Sequence, residues 1–194
     1  MGSAVCPPYM APEFLDAATC RRVRAAMGRG IAEPAEVLES DVALDRAARH
    51  VSSIEVDPET LAEVEAQLDA ARDTIGAYYE MPLVRREGPG FFRYGPGGFY
   101  RPHRDWAIDA AWPGASERLI SLIVFLNSAR SGSAEGEFSG GELVIFPEPA
   151  DDVAPEAVEV VPRQGTLVAF HAATLHEVRP VAGGTRDVIV DWYY

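Results

Sequence analysis

A chain of 194 residues, 47% of them hydrophobic, can bury one substantial core and does not require a second. A formal charge of −13 argues against a phosphate backbone as the main partner, because nucleic-acid affinity rests on cations that displace counterions. All 17 basic residues are arginine, which excludes Schiff-base catalysis through a lysine.

No apolar run reaches the roughly 18 residues of a membrane span. The opening stretch MGSAVCPPYMAPEF lacks a basic region followed by an apolar one, so a soluble, cytoplasmic protein is expected. Cys6 and Cys20 are too few for a disulfide framework and lie in no Cys/His cluster; they read as buried or incidental thiols.

Residues 15–28, LDAATCRRVRAAMG, carry Leu15, Ala18, Val23, Ala26 and Met27 at roughly helical spacing, with Asp16 as N-cap and Gly28 at the far end, and predict a first helix. The β-branched stretch RHVSSIEVD (49–57) predicts a strand. DPETLAEVEAQLDAARDTIGAYYEM (57–81) has Asp57 as N-cap, Pro58 at the first helical position, and apolar residues at 61, 64, 68, 71, 75 and 78, so a second, longer helix follows.

After Pro89 the period falls from near four to two. FFRY (91–94), FYRPHRD (99–105), RLISLIVFLN (118–127), GELVIF (141–146), AVEVV (157–161), TLVAF (166–170), HEVRPV (176–181) and RDVIVDWYY (186–194) read as strands separated by Gly, Pro, Asp and Ser. The expected fold class is α+β, mainly β: a double-stranded β-helix, or jelly roll, of about eight strands backed by N-terminal helices. One domain is expected over 1–194, with a helical front containing a strand at 1–88 and the jelly-roll core at 89–194. LISLIVFL is apolar on both faces, as suits a central strand with helices outside and a cavity or opposing sheet inside. NSARSGSAEGEFSGG (127–141) is small, polar and acidic and reads as a mobile loop.

Within YRPHRDWAID, His103 and Asp105 stand two apart, and on a strand such residues share a face. Alone, an HxD pair is more often a structural hydrogen bond than a metal site. A third candidate, His176, opens a later strand, and two imidazoles with one carboxylate form a facial triad that leaves other iron positions open. Arg186 follows on the next strand after the AGG loop (182–184). If that loop closes a hairpin, parity puts Arg186 on the face of His176, about 13 Å along. An arginine there could grip a carboxylate through two parallel hydrogen bonds; it could also be an ordinary surface residue after a turn. His171 is an odd five residues before His176 and off its face in an unbroken strand, and His50 reads as structural or surface-exposed.

These segments resemble the iron(II) and 2-oxoglutarate dependent dioxygenases, in their prolyl 4-hydroxylase-like branch. RYGPGGFYRPHRD is similar to that branch's strand pair ending in HxD, GGELVIFPE to its GGxLxIFP segment, and HEVRPVAGGTRDVIVDWYY to its distal-histidine hairpin with a basic residue ten positions on. The resemblance runs from about residue 88 to the end. It implies that His103, Asp105 and His176 bind Fe(II), that Arg186 holds the distal carboxylate of 2-oxoglutarate, and that Tyr94 hydrogen-bonds the same cosubstrate. O2 is then the second cosubstrate, with ascorbate as a supporting reductant.

The implied reaction hydroxylates an unactivated C–H bond as 2-oxoglutarate is decarboxylated to succinate and CO2. Asp105 favours hydroxylation, since related halogenases carry a small residue at that position. Phe125 stands where some animal relatives have a tyrosine near the cosubstrate, and it cannot donate a hydrogen bond.

The branch acts on prolyl residues in peptides or proteins and on free amino acids or small metabolites, and the residues do not choose among these substrates or fix an oligomeric state. The entrance is expected near 106–117, 127–140 and 29–43, with Trp112, Arg101 and Arg104 available to a substrate and Trp106 and Trp192 equally suited to a core. Two other readings stay open: a cupin-type metal-dependent dioxygenase or isomerase that does not use 2-oxoglutarate, and a non-catalytic binding module on the same fold.

Overall fold

A computed structural model describes residues 6–35, 48–108, 113–130, 137–147 and 156–194. Along the described chain run β1 (Tyr9–Ala11), α1 (Ala17–Arg29), β2 (Ala32–Pro34), β3 (Arg49–His50), β4 (Ser52–Ile54), α2 (Pro58–Tyr78), β5 (Gly90–Tyr94) and β6 (Phe99–His103). A 3-10 turn at Pro113–Glu117 precedes β7 (Ile120–Phe125), β8 (Ser139–Gly140), β9 (Leu143–Phe146), β10 (Val158–Val160), β11 (Leu167–His171), β12 (Leu175–Val178), β13 (Val181–Gly183) and β14 (Arg186–Tyr193).

The strands form a seven-stranded sheet in the order β1-β11-β7-β14-β5-β4-β2 and a five-stranded sheet in the order β10-β9-β12-β6-β3; β13 and β8 pair separately. The sheets are antiparallel and do not close. This is the expected mainly β, jelly-roll class with helices at the front.

The apolar run in β7 explains the layering, because successive side chains alternate between faces. Ile120, Leu122 and Val124 pack with Val23 and Met27 of α1 and Val64, Leu68 and Ile75 of α2. Ile123 and Phe125 turn the other way and pack with Leu143, Ile145, Val160 and Val178 of the five-stranded sheet. The strand is apolar on both faces because helices cover one and a second sheet covers the other.

Both helices start at the predicted caps. Asp16 accepts a hydrogen bond from Thr19 N at 2.7 Å and Asp57 from Thr60 N at 2.8 Å, each satisfying an amide that the first helical turn leaves free. Gly28 does not end α1: the helix continues to Arg29, and the N–H of Gly30 bonds back to Ala26 O.

Three other expectations are corrected. The stretch 49–57 is two short strands: β3 joins β6 in one sheet and β4 joins β5 in the other, so the chain crosses between sheets at Val51. The predicted hairpin through 182–184 does not form, since β12 and β14 lie in different sheets and residues 181–183 pair with β8 instead. Part of the 127–141 loop is ordered by pairing, through β8 and a bridge between Ala129 and Phe138. The short strands β1, β2, β8 and β13 are not expected from the sequence because two or three residues are too few to show a period.

Cys6 and Cys20 are free thiols, Cys20 fully buried. No helix among the described residues is long and apolar enough to cross a membrane.

Candidate metal and anion site

His103 ends β6 and sits in direct register with His176 on β12, so strand pairing places the two imidazoles side by side, with ring centroids 4.1 Å apart. Asp105 reaches them by a different route from the one the sequence suggests. The strand stops at His103, and the chain bends so that the amides of Asp105 and Trp106 both donate to Ala172 O at 3.0 Å. The Arg118 guanidinium also donates to the Asp105 carbonyl at 3.1 Å. A fixed bend, and not strand parity, therefore aims the carboxylate.

The ligand atoms converge. His103 Nε2 lies 3.6 Å from Asp105 Oδ1, His176 Nε2 lies 3.6 Å from Asp105 Oδ2, and one ligand atom from each residue falls within 4.8 Å of the others. His103 Nδ1 faces Arg101 O at 2.8 Å and His176 Nδ1 faces Thr174 O at 3.0 Å. A ring nitrogen facing a carbonyl carries the proton, which leaves both Nε2 lone pairs free toward the common point.

Electrostatics favours the ligand forms. Burial, reinforced by neighbouring His103, pulls the His176 pKa down to about 4, so the ring is neutral at neutral pH. Burial alone would raise the Asp105 carboxyl, but His176, His103 and the Ser121 hydroxyl outweigh it and hold the group well below the usual carboxylate range. The Ser121 hydroxyl donates to Asp105 Oδ2 at 2.6 Å. Tyr100 stacks on His103 at 3.4 Å and Phe170 meets His176 edge-on at 4.7 Å.

The triad opens into a cavity of about 350 Å³ walled by Tyr94, Phe92, Tyr100, Ile123, Val190 and Trp192. Glu87 and Arg118 stand at its side, locked together by two contacts of 2.7 and 2.6 Å, with Arg118 stacked 3.8 Å over Trp192.

Arg186 lies behind Tyr94. It is 1% exposed, its guanidinium carbon is 4.8 Å from the Tyr94 ring centroid and 5.2 Å from that of Phe125, and none of its three nitrogens has a hydrogen-bond partner among the described residues. Burial lowers its pKa, opposed by Tyr94 and Glu142. Room for the side chain depends on Gly141: at φ +71 it holds a conformation that favours glycine, and a Cβ there would come within 3.0 Å of Arg186 Cδ.

The structure thus brings His103, Asp105 and His176 together, puts Tyr94 in the same cavity and sets Arg186 against Tyr94. Arg186 arrives there within the seven-stranded sheet, on the strand that pairs with Tyr94, and not through the hairpin register expected from the sequence. His171 is elsewhere, edge-on to Tyr79 at 4.9 Å in the seven-stranded sheet, and His50 is exposed on β3.

Of the tryptophans, Trp106 is 41% exposed and is not a core residue, whereas Trp192 lines the cavity. Arg101 and Arg104 do not line it; Arg101 lies over Phe99, Arg104 donates to Ala173 O, and Trp112 falls outside the described residues. Ser121 escaped notice in the sequence although one signal marks it: a lone hydroxyl in the otherwise apolar run of β7.

Comparison with known proteins agrees with this geometry. A family model described as 2OG-Fe(II) oxygenase superfamily matches residues 89–194, more than half of the chain. A PKHD-type hydroxylase of Stenotrophomonas maltophilia is 36% identical over 105 residues, covering 54% of this chain and 41% of that protein, so the chain spans well under half the length of this curated relative. A crystal structure of a Pseudomonas putida prolyl-4-hydroxylase superposes with a TM-score of 0.72 at 26% identity, covering 96% of this chain and 91% of that one. A Trichoplax adhaerens prolyl hydroxylase, solved with a hypoxia inducible factor oxygen degradation domain peptide fragment, shares the fold with a TM-score of 0.72 at 19% identity, covering 96% of this chain and 83% of that one.

Proposed function

We propose, for a chain that belongs to the 2OG-Fe(II) oxygenase superfamily, that His103, Asp105 and His176 hold Fe(II), that Arg186 with Tyr94 receives the distal carboxylate of 2-oxoglutarate, and that residues 1–194 work as one oxygenase domain. Fe(II) and 2-oxoglutarate are the cofactor and cosubstrate of this family, with O2 as the usual third reactant. Together, when bound, they supply oxidative decarboxylation to succinate and CO2 and insertion of oxygen into a C–H bond.

The donor set suits this metal: two imidazoles and one carboxylate, with room for further ligands on the cavity side. The observation that carries the cosubstrate assignment is the buried Arg186 guanidinium, whose nitrogens lack partners among the described residues. A buried, uncompensated charge costs several kcal/mol, on the order expected for one ion, and an anionic ligand with two oxygens would offset it by a bidentate contact.

The chain's own share of the work is positional. The carbonyls of Arg101 and Thr174 fix the imidazole tautomers, Ser121 orients the carboxylate, and Ile123, Phe92 and Val190 give the cavity one apolar wall. The substrate is a prolyl residue in a peptide or protein, or a free amino acid or small metabolite. Likeness to the Pseudomonas putida and Trichoplax adhaerens prolyl hydroxylases supports the prolyl choice, as does the apolar, aromatic wall of Phe92, Tyr100 and Trp192.

Two measurements test the reading. Fe(II) or Mn(II) with 2-oxoglutarate, under nitrogen, should raise the melting temperature, since a ligand at 100 times its Kd adds about 2.7 kcal/mol to the folded state. Oxygen should then produce succinate, and mass spectrometry of prolyl peptides beside free amino acids should show a gain of one oxygen in one class. A melting curve unmoved by saturating metal and 2-oxoglutarate would remove the basis of the assignment.

A further expectation concerns Ser121→Ala. Losing a hydrogen bond to a metal-binding carboxylate commonly costs about 10–100-fold in metal affinity or activity. Mn(II) titration should show a loss in that range for this variant, and the metal-free protein should melt a few degrees lower because the buried Asp105 carboxylate loses a charge-assisted hydrogen bond; affinity equal to wild type would remove Ser121 from the site.

A further inference from the structure

We infer that Asn127 is a positioning residue for Arg186, its side-chain amide acting as a substitute strand that fixes the backbone on both sides of the guanidinium and so sets the affinity for 2-oxoglutarate. This rests on the cosubstrate reading above.

The ladder between β7 and β14 is regular from Tyr193 paired with Ile120 to Val188 paired with Phe125. There β7 ends and its chain bends away, although Arg186 and Asp187 still belong to β14. In an antiparallel strand alternate residues turn their N–H and C=O to opposite neighbours. Arg186 pairs with Tyr94 on the β5 side, so Thr185 and Asp187 present their groups to the side that β7 has just left.

Asn127 fills that gap. The N–H of Asp187 donates to Asn127 Oδ1 at 3.0 Å, and Asn127 Nδ2 donates to Thr185 O at 2.7 Å. One backbone bond completes the set, from Leu126 N to Asp187 O at 3.0 Å. The single side-chain amide therefore continues the ladder with one acceptor and one donor, and the residue it brackets is Arg186. Asn127 is itself fully buried, so neither bond has solvent as a ready replacement.

Asp187 is held from its carboxylate as well, by Arg93 at 2.7 and 3.1 Å and by Arg24 of α1 at 2.9 Å. Those contacts fix the far side of the strand. Before the turn, Gly183 pairs with Ser139 of β8; between that pairing and Asp187, the Thr185 carbonyl is held by Asn127, next to the point where Arg186 enters the space behind Tyr94. An anion clamp loses binding steeply when its geometry drifts by an ångström. A guanidinium whose nitrogens have no hydrogen-bond partner among the described residues is held by its packing against the Tyr94 and Phe125 rings and by its backbone.

The test compares Asn127→Leu with Gln164→Leu. Gln164 Nε2 bonds Leu126 O at 3.1 Å on the same bend but touches neither neighbour of Arg186, so it reports general loosening. With Mn(II) under nitrogen, Asn127→Leu should weaken 2-oxoglutarate binding about 10–100-fold, in the range of outer-partner losses. Mn(II) affinity should stay within about threefold, and the KM for 2-oxoglutarate should rise much more than kcat falls. Hydrogen exchange should speed up at the Asp187 amide, and Gln164→Leu should leave 2-oxoglutarate affinity unchanged.

Should Asn127→Leu fail to fold, Asn127→Ala removes both bonds without added bulk or charge, and the same selective loss is expected. Unchanged 2-oxoglutarate affinity in a folded variant, or equal losses of metal and 2-oxoglutarate, would overturn the positioning role alone. A wild-type protein that binds Mn(II) but not 2-oxoglutarate would overturn the cosubstrate reading and this inference with it.

Discussion

Replacing His176 with alanine is expected to abolish succinate formation and to remove the rise in melting temperature that metal produces, whereas His171→Ala keeps both. The two histidines are five residues apart, and their surroundings decide the difference. His176 is buried, in register with His103, and its Nε2 points at Asp105; His171 packs against Tyr79 in the other sheet. Losing a supporting hydrogen bond costs about 10–100-fold, so loss of one of three direct ligands should exceed that range. A buried ring replaced by alanine also leaves a cavity, which lowers stability by itself. His176→Gln keeps most of the volume and separates the two effects: it should fold with a melting temperature near wild type and still show no response to Mn(II). Activity within about tenfold of wild type in either variant would show that His176 is not a metal ligand.

The contrast between those histidines shows what the sequence could and could not convey. Residue types and order were legible: the period change after Pro89, the caps at Asp16 and Asp57, and the doubly apolar β7 follow from local chemistry and reappear in the fold. The route by which residues meet was not. Parity along a strand suggested the pairing of His103 with Asp105, yet the strand ends at His103 and a bend held by Ala172 O does the work. Hairpin register suggested the placing of Arg186, yet β12 and β14 belong to different sheets.

In both cases a motif marked the right neighbourhood while the local geometric argument for it failed. Strand parity holds only inside one unbroken strand, and sheet membership is settled by long-range pairing that no local window contains. Asn127 was hidden for the same reason, because its role depends on where β7 leaves β14. Trp192 and Trp106 could not be sorted at all, since an indole suits a core and a cavity wall equally well until the neighbours are known.

Arg186→Met should make the protein more stable in the absence of cosubstrate and blind to its presence. The guanidinium is 1% exposed and has no hydrogen-bond partner among the described residues. Its contacts with the Tyr94 and Phe125 rings lie within cation-π range, and such contacts contribute about 0.5–2 kcal/mol. Desolvating the charge costs several kcal/mol, so the balance without a ligand is unfavourable. An unbranched apolar side chain can follow the same path beneath Gly141 without the charge.

Replacing buried ionic groups by apolar ones of similar volume has stabilised proteins by about 1–4 kcal/mol. For a chain of this length each kcal/mol moves the melting temperature by about 2–4 °C, so a rise of several degrees is expected for the metal-loaded variant without 2-oxoglutarate. Adding 2-oxoglutarate at 100 times the wild-type Kd gives the wild type about 2.7 kcal/mol and the variant nothing, which narrows or reverses the order of stability. Differential scanning fluorimetry with Mn(II), with and without 2-oxoglutarate, reads both halves of the claim. A variant that melts lower than wild type without 2-oxoglutarate would show that the charge is compensated inside the fold. A 2-oxoglutarate response that survives the substitution would show that the carboxylate is held elsewhere.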